Sequence, residues 1–84
     1  MDEKMQFTRL AKDAEEILGL IDRLRGLDSL NLAKVERVIG RRRFEAAMAA
    51  LRDEGMVTLT RGWSAATITR AGKHYLADVA GGAA

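Results

Sequence analysis

A mainly α-helical domain closed by a small β-hairpin is the fold class the sequence predicts, and three observations predict it. Apolar residues recur at helical spacing in three successive segments before Gly55. After Gly55 the period drops to two, in "MVTLT" and again in "ATIT". No proline interrupts either pattern.

The first segment, Glu3 to Gly26, is the longest. Phe7, Leu10, Ala14, Ile17, Ile21 and Leu24 follow one another at alternating steps of three and four, a heptad-type seam. Leu18, Leu20 and Leu27 add a second apolar flank, and Gly19 weakens the helix enough to allow a bend. At ~1.5 Å per residue such a helix would run about 36 Å, longer than so small a core requires. Residues 1–16 are therefore expected to form an N-terminal helical extension, with Phe7, Leu10, Ala14 and Ile17 as the contact between two copies of the chain.

Asp28 and Ser29 read as a turn. A short helix is expected from Leu32 to Ile39, with Asn31 as its N-cap and Leu32, Val35, Val38 and Ile39 facing inward. Gly40 ends it. The third helix, Arg41 to Glu54, turns Phe44, Ala47, Met48 and Leu51 to the core and stops at Gly55. Residues 56–70 then form the hairpin, with Val57, Leu59, Ala66 and Ile68 inward and "RGWSA" as the turn. Thr69 can cap a last helix over Arg70–Val79 that presents Ala71, Tyr75, Leu76 and Val79. The whole is expected to be a single domain over residues 1–80, with 81–84 as a frayed tail.

Composition narrows the function classes. With 84 residues, 48% apolar and 31% charged, the chain fits a small soluble domain, and no apolar run approaches the ~18 residues of a membrane span. The N-terminus "MDEKMQFTRL" lacks the apolar stretch of a signal peptide, and there is no cysteine, so a cytoplasmic location is expected. One histidine, His74, and no cysteine argue against a transition-metal site. Ser29 and Ser64, the two serines, sit in no nucleophile motif, and "VAGGAA" opens no helix that could cradle a phosphate. No cofactor and no enzymatic activity are expected. The four methionines read as core fillers or the initiator.

The net charge of +2 is unevenly spread. Residues 1–29 carry five basic and seven acidic side chains, a balance of −2, whereas residues 30–84 carry nine and five, a balance of +4. The excess includes the cluster in "GRRRFEAAMAALRDEG", where Arg41, Arg42 and Arg43 begin a helix. A helix N-terminus carries partial positive charge, so each cation there costs about 0.3–1 kcal/mol. An anionic partner outside the helix accounts for them; the competing reading has them solvated in the turn or ion-paired to the acidic first helix.

This order of helix, helix, tight turn, helix, hairpin and helix resembles the winged helix-turn-helix family, in particular small bacterial and archaeal regulators of the MarR or PadR kind. The likeness runs from Ile17 to Leu76. "AMAALRDEGMVTLTRG" is similar to the end of the family's recognition helix, its glycine turn and its first wing strand. "TITRAGKHYL" resembles the segment that closes the wing and opens the last helix, with Ile68 where the family has leucine. The resemblance implies a DNA-binding protein, a small homodimeric transcriptional regulator whose third helix lies in the major groove of double-stranded DNA. It places Arg41, Arg42, Arg43, Glu45 and Ala46 of that helix, and Arg61 of the wing, at the DNA. Ala46 and Ala49 are small, so backbone contacts should outweigh base readout. Trp63 reads as a cover for the edge of the core rather than a base-stacking residue. The fold also serves as a protein-interaction adaptor without DNA, which is the alternative function.

Overall fold

The computed structural model describes residues 10–60, 62 and 64–83, with side chains described through Val79. Along the chain come α1 (Lys12–Leu24), β1 (Leu27–Asp28), α2 (Ser29–Ile39), α3 (Arg41–Asp53), β2 (Val57–Leu59), β3 (Ala65–Ile68) and α4 (Arg70–Ala83). The fold is mainly helical with a small antiparallel sheet in the order β1-β3-β2, a shape compatible with a winged helix.

Helix α1 starts later than its seam predicts. Ala11 is extended at φ −62° and ψ 156°, so the helix does not pass through residues 10 and 11, and the expected helical extension is helical only from Lys12 among the described residues. Phe7 lies outside them. Asp13 and Glu15 in the first turn and Arg23 in the last suit the helix dipole, and α1 runs unbroken through Gly19. Arg25 closes it in the left-handed region at φ 60°, and the Gly26 N–H reaches back to the Ile21 carbonyl at 2.8 Å.

The seam finds its partner within the chain. Leu10, Ala14 and Ile17 are all buried, and they join Leu18 and Ile21 in one core as α1 packs on α3, β3 and α4. The expectation that these residues form a contact between two copies is therefore corrected. Phe44, Ala47, Met48 and Leu51 supply the opposing face from α3, as their spacing predicts. A heptad seam signals that a face is covered; here α3, β3 and α4 cover it from Leu10 to Ile21, and Leu24 at its end is exposed.

At the next junction the turn expected at Asp28 and Ser29 is absent: Leu27–Asp28 is a strand, pairing Leu27 with Ala66 and Asp28 with Ala65, and Ser29 already opens α2. A strand of two residues has no alternation to reveal it. The N-cap of α2 is Asp28 rather than Asn31: its carboxylate accepts the Asn31 N–H at 2.9 Å. Of the four residues expected inward on α2, Leu32 is buried and Val35 and Ile39 are half-buried, but Val38 is 83% exposed.

The hairpin follows its alternation. Val57 and Ala66 are buried, Leu59 and Ile68 half-buried, and Thr58 and Thr67 outward, with Val57 opposite Ile68 and Leu59 opposite Ala66. Thr69 stitches three elements together. Its hydroxyl donates to the Gly55 carbonyl at 2.7 Å and accepts the Gly72 N–H at 3.1 Å, capping α4 as expected. Gly72, not Ala71, is the buried residue of that first turn. A Cβ at Gly72 would lie 2.4 Å from the Met56 carbonyl oxygen, so the close approach of α4 to the α3–β2 turn requires glycine there. One turn on, Tyr75 is 1% exposed; its hydroxyl accepts the Leu10 N–H at 2.9 Å and donates to the Glu15 carboxylate.

Candidate nucleic-acid interface

The arginine cluster is set out by one residue. Gly40 both ends α2 and begins α3, at φ 97° and ψ 146°, a conformation that side-chain-bearing residues rarely adopt. It has no side chain to cap α3, so the helix start carries no side-chain cap from its N-cap residue. Its own N–H bonds the Glu36 carbonyl at 2.8 Å, and its carbonyl accepts the Phe44 N–H at 2.9 Å.

Consecutive residues on a helix point about 100° apart, so three arginines in a row must go three ways. Arg41 turns to α2, where its Nε donates to Glu36 Oε2 at 3.1 Å, with Glu45 Oε2 at 3.9 Å on the other side. Arg43 turns to α1 and grips Asp13 with two bonds, Nε to Oδ2 at 2.8 Å and Nη2 to Oδ1 at 2.7 Å. These bonds hold the Asp13 carboxyl below its ordinary range and raise the Arg43 guanidinium above its own. Arg42 points between them, exposed, with no ion pair to a described residue.

Farther along α3, Glu45 and Ala46 are exposed and Ala49 is half-buried. A cleft joins this helix to its neighbours: Ser29, Ala33 and Glu36 of α2, Arg41 and Glu45 of α3, and Gly62 of the hairpin turn line it. The turn is clasped below its tip, where the Thr60 and Ser64 hydroxyls meet at 2.6 Å and the Thr60 N–H bonds the Ala65 carbonyl at 3.0 Å. Arg61 and Trp63 lie outside the described residues, on either side of Gly62.

The residues singled out in the sequence thus fall into distinct settings. Arg42, Glu45 and Ala46 share the open surface of α3, and Arg41 stands at its edge between two carboxylates. Arg43 is tied back to α1, the arrangement that the competing reading of the cluster anticipates. The acidic partners Asp13 and Glu36 carry no motif; the one signal for Asp13 is the acidity of the first segment. His74 is exposed on α4. Among the described residues no cluster of three metal-ligating side chains occurs, and no helix is long and apolar enough to cross a membrane.

Compared with known proteins, the chain matches no family model, no curated protein and no solved structure.

Proposed function

We propose that this chain binds double-stranded DNA through the first turn of α3, in the manner of a small winged-helix transcriptional regulator. The observation that carries the reading is Arg42, exposed, without an ion pair among the described residues, and standing on a helix start that has no side-chain cap. A phosphate oxygen there would meet a free guanidinium together with uncapped peptide N–H groups. Ala46, one turn on, adds no bulk that would hold the helix away from a groove floor. Arg41 and Arg43 add to the local field although each is paired, since their side chains remain 78% and 65% exposed. Arg61 of the wing is assigned a backbone or minor-groove contact on the resemblance alone.

Fluorescence anisotropy with a labelled duplex over a range of salt concentrations tests this. Binding should weaken steeply with salt, and Arg42→Ala should reduce the slope by about one unit. Arg43→Ala should change the slope less, because its charge is already matched by Asp13. A chain that shows no salt-dependent binding to any duplex would end the reading. The adaptor function is favoured by a different observation, the exposed Val38 on α2, and predicts that Arg42→Ala is silent in every DNA assay.

A further inference from the structure

Arg43 is held along one edge of its guanidinium and free at the end. Nε and Nη2 donate to the two Asp13 oxygens at 2.8 and 2.7 Å, a side-on pairing. The guanidinium has five N–H donors, so three remain, and none of them has a partner among the described residues. Two of the three, one on Nη1 and one on Nη2, point out side by side from the end of the group, a fork that matches two adjacent acceptors. The Arg43 side chain is 65% exposed, but the carboxylate that grips it is 23% exposed and sits on the first turn of α1. Because α1 packs on α3, that anchor is fixed to the body of the domain. Arg42 has no such anchor, and Arg41 is bonded to Glu36 through Nε alone. Of the three arginines, Arg43 alone presents a fork held in one orientation.

We infer that Asp13 is a positioning residue that sets Arg43 to read a guanine, an inference that rests on the DNA-binding reading above. In the major groove guanine presents N7 and O6 side by side as acceptors, a pattern no other base shows there. The first residues of a recognition helix are the ones that reach base edges. A phosphate also offers paired oxygens, but the Arg43 charge is already met by Asp13, so the pair gains little as a counterion. What it contributes is hydrogen-bond geometry, and a fork already immobilised loses less rotamer freedom on binding. The turn thus divides its work: Arg42 brings unmatched charge to the backbone, and Arg43 brings direction to a base.

Selection of bound duplexes from a randomised pool defines the preferred site, and fluorescence anisotropy on its single-base variants measures discrimination at each position. One position should demand guanine in the parent, by roughly tenfold or more over any other base. Arg43→Ala should abolish that preference and leave the others in place. Asp13→Asn should lose most of it at the same position, while its salt slope steepens by up to about one unit because Arg43 becomes an unmatched cation. Circular dichroism should be unchanged in both. Placing 7-deazaguanine, which lacks the N7 acceptor, at that position should weaken the parent and leave Arg43→Ala unaffected. A parent that binds duplexes with steep salt dependence but has no such guanine, or tolerates 7-deazaguanine there, would overturn the inference and leave the DNA reading standing. So would an Arg43→Ala variant with every preference intact. An Asp13→Asn variant that binds all duplexes more tightly with unchanged preferences would overturn it as well, the carboxylate then merely restraining a phosphate contact. A parent without salt-dependent binding to any duplex would overturn both.

Discussion

The two sides of α1 look alike in the sequence and fare differently in the fold. On one side Ala14, Leu18 and Ile21 have no exposed surface, closed over by α3, β3 and α4. On the other, Leu20 is half-buried and opens on the groove toward α2, where Val38 stands in water. Leu18 and Leu20 belong to one apolar flank in the sequence, so periodicity alone assigns them the same fate. What separates them is the supply of opposing surface. α3 presents four buried apolar residues to the core, whereas α2 presents one, Leu32.

The sharpest test of that contrast is a truncation on the closed side. Leu18→Ala should lower unfolding free energy by about 2–5 kcal/mol in urea titrations, from lost transfer energy plus the cavity left behind. A loss below about 1 kcal/mol would mean that the closed side is as loosely filled as the open one. Next in size is Tyr75→Phe, which strips the buried Leu10 N–H of its acceptor and Glu15 of a donor. It should cost about 1–3 kcal/mol, and hydrogen exchange at the Leu10 amide should accelerate more than at amides of α3. On the open side, Val38→Ser should shift single-chain stability by less than about 0.5 kcal/mol when measured at high dilution. A large loss there would show that the groove is packed.

The smallest effect concerns acid. The Arg43 guanidinium holds the Asp13 carboxyl in the folded chain below its ordinary value of 3.8. The pair therefore contributes stability that is fully present above that ordinary value and is lost as pH falls through the lowered folded value. Urea midpoints followed from pH 6 downward should show a slight acid sensitivity that Asp13→Asn reduces, with no difference in its slope above about pH 5.

Much of the frame was legible in the residues. The third helix and the hairpin strands carry strong periodicities of their own, and Phe44, Ala47, Met48, Leu51, Val57 and Ala66 are where their spacing puts them. Three things were not legible. The strand at Leu27–Asp28 exists because β3 has a free edge for it, and two residues hold no pattern. The start of α1 depends on Leu10 being drawn to Tyr75, sixty-five positions away. Which arginine pairs with which carboxylate is the third, since the sequence offered the acidic first helix only as a general partner: Asp13 meets Arg43 because α1 packs on α3, a fact of assembly rather than of local spacing. Gly72 is an intermediate case. The wing-closing segment of the resemblance contains it, and its reason, the Met56 carbonyl against its Cα, appears only in three dimensions.

Asp13 belongs to two surfaces at once, as the anchor of Arg43 on α3 and as part of the wall of the α1–α2 groove. An anion that drew Arg43 away would leave a bare carboxylate facing whatever occupies that groove. Were the groove occupied, the two events would be thermodynamically linked through that single side chain. Whatever factor the anion imposes on occupancy of the groove, occupancy imposes the same factor on the anion. A shared carboxylate of this kind would give the arginine turn and the groove a common thermodynamic variable.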